Sequence, residues 1–110
     1  MSSIAASALP AAARAIAQRL AESLSPDGIY LFGSYARGEA SRDSDLDFLV
    51  VVPQSTDSRY LRAVKARALV SDIPFPKDIV VFTRSEWEAE RQVVSSLAST
   101  VAREGLRLDE

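Results

Sequence analysis

Hydrophobic residues recur at every third or fourth position near the start of the chain, and this spacing predicts an amphipathic helix. The positions are Leu9, Ala13, Ile16, Leu20 and Leu24. The helix is expected to begin between Ser7 and Pro10, because a proline in the first turn removes no intrahelical hydrogen bond. Residues 25–28, which read Ser-Pro-Asp-Gly, are expected to end it.

Three short apolar segments predict β-strands, because they are rich in β-branched and aromatic residues and are bounded by turn-forming residues. They are Ile29 to Phe32, Asp45 to Val52, and Lys77 to Phe82. Between the first two we expect one helical turn, from Ser34 to about Arg37, followed by an exposed loop from Gly38 to Ser44. The sequence therefore predicts a strand, a short turn and a second strand in direct succession.

Two further helices are predicted in the second half of the chain. The first is capped by Asp57 or Ser58 and runs through about Val70. Its inner face is expected to carry Leu61, Val64 and Ala68. The second begins at a capping box formed by Ser85 and Glu88 and runs towards Gly105. Its apolar stripe is expected in the core, and any part left exposed would be a partner-binding patch. The stripe consists of Trp87, Val94, Leu97 and Val101. Residues 106–108 are expected to add a short edge strand.

This order of elements predicts an α/β (α+β) fold, in which helices flank a small mixed β-sheet. A length of 110 residues with 47% hydrophobic and 25% charged residues suits one domain, which we expect to span residues 1–110. No window approaches the roughly 20 apolar residues that cross a bilayer, and no signal segment is evident. A cytoplasmic protein is the simplest interpretation.

The composition excludes several kinds of chemistry. There are no cysteines and no histidines, which excludes disulfides, thiolate or imidazole zinc sites and Ser-His-Asp triads. The formal net charge of -2 offers no broad positive field, so direct polynucleotide binding is not expected. Catalysis would have to use carboxylates, hydroxyls or metal ions held by oxygen.

Two aspartates at the start of the second predicted strand suggest such an oxygen site. Asp45 and Asp47 are two residues apart, so on a strand both carboxylates project from one face, with Cα atoms about 6.6 Å apart. Hard oxygen ligands favour Mg²⁺, or alternatively Mn²⁺, over zinc. Asp78 on the third strand would complete a three-carboxylate cluster, which suffices to hold two ions for phosphoryl displacement. Asp72 is the competing third carboxylate.

Gly33 and Ser34 supply a complementary feature at the end of the first predicted strand. A glycine lets the backbone approach a ligand closely, and free N–H groups in the following helical turn attract phosphate oxygens. If the first two strands are neighbours, triphosphate binding would lie beside the carboxylates. The alternative to a binding site is that Gly33 and Ser34 form a plain strand-to-helix turn. Asp45 and Asp47 would then only end a turn and start a strand.

At these positions the sequence resembles the DNA polymerase β-like nucleotidyltransferase superfamily, and most closely its small bacterial MNT-type members. Residues 33–38 read Gly-Ser-Tyr-Ala-Arg-Gly, residues 44–47 read Ser-Asp-Leu-Asp, and residues 77–81 read Lys-Asp-Ile-Val-Val. The family pattern has the same three parts, separated by a short spacer and then by one further strand. The compound pattern is specific, whereas Gly-Ser or Asp-x-Asp alone would be weak.

The resemblance implies a role for each matching residue. Asp45, Asp47 and Asp78 would bind two Mg²⁺ ions, and Asp78 would also prepare the attacking hydroxyl. Gly33 and Ser34 would hold the triphosphate. Arg37 and Ser44 complete the candidate nucleotide-binding set, although Arg37 is expected to support the loop more than to touch the substrate. Weaker candidates for phosphate contacts are Arg42 and Lys77, and Tyr35 is expected either to pack or to touch a base.

The implied reaction transfers AMP, in most similar proteins from ATP, to a hydroxyl group. Small MNT-type proteins are typically paired with a HEPN-family protein in toxin–antitoxin modules, so the resemblance implies a HEPN-family partner and an acceptor hydroxyl on that protein. One alternative is an antitoxin that acts by binding alone. Another is a small-molecule adenylyltransferase of the aminoglycoside-modifying kind, which the short chain disfavours. Self-association into a homo-oligomer also stays open.

Overall fold

A four-stranded mixed sheet organises the protein, and the computed structural model describes residues 9–109. The helices are α1 Ala11–Leu24, α2 Ser34–Arg37, α3 Arg59–Leu69, α4 Arg84–Glu90 and α5 Leu97–Glu104. The strands are β1 Gly28–Phe32, β2 Leu46–Val52, β3 Lys77–Thr83 and β4 Leu106–Arg107. The fold class predicted from the sequence is confirmed. No helix within residues 9–109 has the length and apolar character needed to cross a membrane.

The strands lie in the order β3-β2-β1-β4. β1 pairs antiparallel with both β2 and β4, whereas β2 and β3 are parallel. A parallel pair requires a crossover connection, and α3 provides it. The predicted strands, the single turn of α2 and the short edge strand β4 are confirmed. The predicted start of the first helix near Ser7 falls outside the described residues, and α1 itself begins after Pro10.

Two apolar layers form on opposite faces of the sheet, because alternate strand residues point to opposite sides. On one face α1 and α3 cover the sheet. The buried residues of that layer include Ala13, Ile16, Leu20, Ile29, Leu31, Phe48, Val50, Ala66, Ile79 and Val81. On the other face α4 and α5 cover a smaller layer. Its buried residues are Leu49, Val51, Phe82, Trp87, Ala98 and Val101.

The predicted inner face of α3 is wrong. Leu61, Val64 and Ala68 are exposed, and the helix instead turns Arg62 and Ala66 towards the sheet. The guanidinium group of Arg62 donates to the Val81 carbonyl at 2.7 Å, and its side chain is 9% exposed. The buried face therefore combines Arg62 with Ala66 and Val70, a different set from the one predicted. Its N-cap is Ser58, one of the two predicted capping residues, whose hydroxyl accepts from the Leu61 N–H at 3.1 Å.

The predicted capping box lies two residues too late. Thr83 is the N-cap of α4, and its hydroxyl accepts from the Glu86 N–H at 3.3 Å. The Glu86 carboxylate accepts from the Thr83 N–H at 3.0 Å in return. Ser85 and Glu88 offered the same residue types at the same spacing. Thr83 prevails because it is the last residue of β3, and its backbone is already extended, as an N-cap requires.

The last predicted helix is broken into α4 and α5. Ser95 adopts a left-handed backbone with φ of 73°, and the Ser96 hydroxyl donates to the Glu90 carbonyl at 2.7 Å. Ser96 then caps α5 by accepting from the Ser99 N–H at 3.0 Å. Gly105 ends α5 with an extended backbone, φ of −71°, rather than in the left-handed conformation expected of a C′ glycine.

This break also divides the apolar stripe that was predicted to lie in the core. Trp87 and Val101 are buried, and the Trp87 ring stacks on Tyr30 with centroids 5.1 Å apart. Val94 and Leu97 are exposed, because the helix break separates them from the helical face that carries Trp87. Half of the prediction for this stripe is therefore wrong.

A bidentate ion pair joins α3 to α4 across the edge of β3. Arg62 Nη1 and Nη2 donate to the two carboxylate oxygens of Glu86 at 2.8 and 2.9 Å. Arg62, assisted by the Thr83 N–H and by Arg59, lowers the pKa of Glu86 from 4.5 to about 2. Ionised Glu86 therefore stabilises the fold. This contribution is complete above pH 4.5 and is lost as the pH falls towards 2.

Replacing Glu86 with Gln is expected to lower the free energy of unfolding at pH 7 by about 2 kcal/mol, because Arg62 then keeps a nearly buried charge without its partner. Urea unfolding at several pH values measures the effect. The difference between wild type and Glu86→Gln should shrink as the pH falls from 4.5 to 2. Glu88→Gln, an exposed position on the same helix, is the control. An equal loss in both variants would contradict this account.

Candidate functional site

The predicted site residues meet at one end of the sheet, where β1 ends and where β2 and β3 begin. Asp47 is paired with Phe32, the last residue of β1, and on its other side with Asp78 of β3. Neighbouring strands lie about 4.8 Å apart, so the two aspartates are adjacent across the parallel pair. Asp45 directly precedes β2. Two positions that are 31 residues apart in the sequence are thereby brought side by side.

The carboxylates lie on an accessible part of the sheet surface. Asp47 and Asp78 lie on the same sheet face as Leu49 and Phe82, which are buried beneath α4 and α5. Asp78 and Asp45 are exposed, and Asp47 is half-buried. A substrate could therefore reach all three side chains without a rearrangement of the helices.

The electrostatic field at Asp47 is unfavourable to a negative charge. Partial burial raises the pKa of Asp47 above its usual value, and the negative charges of Asp78 and Asp45 raise it further. The positive charge of Arg37 opposes this shift. Like charges that are held together by the fold are relieved when a cation binds between them.

The side chains fit a hard divalent cation in chemistry, because all three offer carboxylate oxygens. Within residues 9–109, however, no group of three or more acidic, histidine or cysteine side chains is arranged to hold a metal ion. Mg²⁺ is commonly bound by one or two carboxylates together with substrate phosphates, rather than by a complete protein cage. The arrangement fits that mode of binding.

Gly33 gives Asp47 the space it occupies. A Cβ atom at Gly33 would collide with Oδ2 of Asp47, and the backbone of Gly33, with φ of 78° and ψ of −156°, lies in a region that only glycine adopts readily. α2 begins immediately afterwards at Ser34. The first N–H groups of a helix have no partner within it and can donate to a ligand.

Arg37 is the last residue of α2, and its charge interacts electrostatically with Asp47. Its Nε donates to Oε1 of Glu39 at 2.9 Å. Glu39 is the main cause that raises the pKa of Arg37, and Glu104 and Asp47 add to it. The guanidinium group thus supports the loop after α2, as expected, while its charge still reaches Asp47.

Two side chains considered for phosphate contacts are engaged by the chain itself. The Ser44 hydroxyl accepts from the Ser41 N–H at 2.8 Å and closes the loop before β2. Lys77 Nζ donates to the carbonyls of Ile73 and Phe75 at 2.8 and 2.9 Å. Lys77 therefore fixes the connection before β3. Nucleotide binding by Ser44 stays a prediction.

The other candidates lie outside the cluster or pack within the fold. Asp72 forms an ion pair with Arg19 of α1 at 2.9 Å, so the competing third carboxylate is held against a different helix. The Tyr35 ring packs edge-on against Phe75, with centroids 6.2 Å apart. Arg42 is exposed on the loop before β2.

The sequence analysis missed Glu39 and Glu104. Glu39 could have been found, because it lies two residues after Arg37 and opposite charges at short spacing in a turn often pair. Glu104 lies at the end of α5 and reaches the field of Arg37 only through the fold. No local signal in the sequence indicates that proximity.

A comparison with known families identifies this arrangement of elements and residues. The profile of the nucleotidyltransferase domain family matches residues 13–102, which cover the whole sheet except β4. The chain therefore belongs to the nucleotidyltransferase domain family. No curated protein sequence matches it.

Solved structures with the same fold include members of the MNT type, which confirms the resemblance. A variant of the toxin–antitoxin pair MntA-HpeT with a tyrosine-to-alanine substitution is 27% identical, with a TM-score of 0.56, over 87% of this chain and 70% of that one. A toxin–antitoxin structure with AMP-PNP is 23% identical, with a TM-score of 0.55, over 90% and 73%. A protein from Sulfolobus solfataricus, provisionally assigned as a nucleotidyltransferase, is 28% identical, with a TM-score of 0.54, over 71% and 69%.

Replacing Gly33 with Ala is expected to lower the free energy of unfolding by about 3 kcal/mol, because the new methyl group meets Asp47 and the backbone is strained. Gly38→Ala is the matched control. Gly38 also has a positive φ, of 73°, but has open space around its Cα, so its loss should be about 1 kcal/mol. Thermal unfolding of both variants measures the difference. Equal losses would show that Asp47 does not crowd Gly33.

Proposed function

We propose that this protein is a metal-dependent nucleotidyltransferase that transfers AMP from ATP to a hydroxyl group on a partner protein. The observation that supports the proposal most directly is the pairing of Asp47 with Asp78 beside Gly33. It joins a carboxylate pair to a glycine turn of the kind that holds phosphate. Membership of the nucleotidyltransferase domain family supports the class of reaction.

In this proposal Asp45, Asp47 and Asp78 hold two Mg²⁺ ions, with Mn²⁺ as the alternative. When bound, the ions neutralise charge on the phosphates and on the attacking and leaving oxygens. Gly33 and Ser34 hold the triphosphate through the first N–H groups of α2 and the Ser34 hydroxyl. Further contacts from Arg37 and Ser44 complete the nucleotide site.

The chemical step replaces a phosphoanhydride bond of ATP with a phosphoester bond to the acceptor. The acceptor hydroxyl oxygen attacks the α-phosphorus of ATP, the bond from that phosphorus to the bridging oxygen breaks, and pyrophosphate leaves. We assign Asp78 to receive the hydroxyl proton, because it is the most accessible carboxylate of the pair on the open sheet face. Asp47 is less suited to that role, because it lies against Gly33 on the nucleotide side.

The proposed acceptor is a HEPN-family toxin encoded beside this chain. The structural relative at 27% identity is part of a toxin–antitoxin pair, and another relative was solved with AMP-PNP, an ATP analogue. Both facts belong to those proteins, and they support the choice of ATP and of a protein acceptor here. A tyrosine hydroxyl is the acceptor group we favour. Under this proposal the chain acts as an antitoxin that modifies its partner.

An antitoxin that acts by binding alone is the second candidate. It is favoured by exposed hydrophobic side chains such as Tyr60 and Val94, which offer a binding surface outside the carboxylates. The two functions are separated by co-expression with the toxin. If Asp45→Asn and Asp47→Asn still neutralise the toxin as wild type does, binding suffices; if neutralisation is lost, catalysis is required.

Asp45→Asn and Asp47→Asn are each expected to reduce transfer of label from α-³²P-ATP to the HEPN-family protein at least about 100-fold, because each removes a charged metal ligand. The purified chain, the purified acceptor and Mg²⁺ are incubated with labelled ATP, and the labelled acceptor is quantified. Asp43→Asn changes an exposed aspartate of the same loop and should transfer label normally. Undiminished transfer by both site variants would refute the assignment.

A further inference from the structure

All large hydrophobic side chains that are exposed within residues 9–109 belong to two short segments. Tyr60, Leu61 and Val64 lie on the outward face of α3, Val93 and Val94 lie between α4 and α5, and Leu97 is the first residue of α5. Tyr60 is 79% exposed, Val93 55% and Val94 87%. We call these six residues the edge patch. Clustered exposure of this kind marks interaction sites, whereas scattered hydrophobic residues do not.

The two segments are connected through Arg59 and Glu90, although about 30 residues separate them in the sequence. Arg59, directly before Tyr60, donates through Nη2 to Glu90 at 2.6 Å, and its guanidinium group lies 4.0 Å from the centre of the Phe82 ring. The Val93 N–H donates to the Glu90 carbonyl at 3.0 Å. Arg59 thus reaches around the edge of β3 and joins the helix on one face of the sheet to the connection on the other.

The same strand links the edge patch to the carboxylates. β3 carries Asp78 near its start and Phe82, under Arg59, near its end. Four residues of strand span about 13 Å. A protein interface of ordinary size buries about 800 Å² on each partner, which is wide enough to cover that distance. A protein seated on the edge patch would therefore extend to the open carboxylate face.

The charges around the patch indicate the chemistry of the occupant. α3 contains four basic residues and no acidic one. Three of them are neutralised by Glu90, Glu86 and Asp57. Among residues 9–109 the fourth, Arg67, forms no ion pair, and the exposed Arg91 precedes the second segment. An acidic rim on the occupant would complement these charges, whereas a second copy of this chain would present the same arginines.

We infer that the edge patch docks the acceptor protein, through an apolar surface with an acidic rim, and so presents the acceptor hydroxyl to the carboxylates at the other end of β3. This inference rests on the proposed function, in which the acceptor is a protein. The docking surface and the reacting groups are separate: the edge patch sets the affinity for the acceptor, and the carboxylates act on it.

The test measures acceptor binding and label transfer with Val94→Asp, Tyr60→Asp and Arg67→Glu. These positions are exposed and lie outside the catalytic residues, so the fold and AMP-PNP binding should be unchanged. Each substitution is expected to raise the Kd for the HEPN-family protein at least about tenfold. KM for the acceptor should rise likewise, whereas kcat at saturating acceptor should be retained. Ala11→Asp, an exposed position on α1, is the matched control.

The outcomes separate this inference from the proposed function. Weakened binding by the patch variants supports docking. If wild type binds the acceptor but transfers no label to it, the docking inference stands and the proposed transfer is refuted. Normal Kd and KM in Val94→Asp and Tyr60→Asp overturn the docking inference and leave transfer intact. An acceptor that neither binds wild type nor takes label overturns both. Analytical ultracentrifugation adds one further result: a wild-type dimer that Val94→Asp dissociates would assign the patch to a second copy and overturn the inference.

Discussion

Seven residue pairs align β2 with β3 in parallel, from Leu46 beside Lys77 to Val52 beside Thr83. This register brings Asp47 beside Asp78, and a shift of one residue would turn one of the two carboxylates to the opposite face. The apolar halves of both strands, which are buried between two helical layers, fix the register. The hydrophobic core therefore holds two negative charges together that would separate if they were free.

Holding those charges together reduces stability, and the pKa of Asp47 shows the direction of the effect. Because its folded pKa is raised, the ionised carboxylate disfavours the fold once the pH exceeds its usual pKa. Gly33 adds a second constraint, since its backbone conformation and the nearby Asp47 both exclude a larger residue. Bidentate ion pairs at the other end of β3, between Arg62 and Glu86 and between Arg59 and Glu90, offset part of this loss. Asp78 lies near one end of β3, and the two ion pairs lie near the other end of the same strand.

The features that the sequence predicted correctly are those with local causes. The strand ending at Phe32, the single turn of α2 and the start of β2 follow from glycine, short apolar runs and charged residues within a few positions. Capping of α3 by Ser58 is local in the same way. The compound motif predicted which residues gather at the site, because its parts flank strands that become neighbours.

The features that failed depend on contacts between distant segments. The spacing along α3 allows two apolar faces, and the structure buries the one with Ala66, Leu69 and Val70, on the side where Arg62 meets Glu86, 24 residues away. The helix break at residues 91–96 leaves the apolar spacing of Val94 and Leu97 intact in sequence but removes both from the core. Both errors assigned to the core hydrophobic residues that the structure shows to be exposed. Correcting them places Leu61, Val64 and Val94 at the surface, where burial within this chain no longer explains their hydrophobic character. An external surface that covers them would explain it, and the strand beneath them leads directly to the carboxylates.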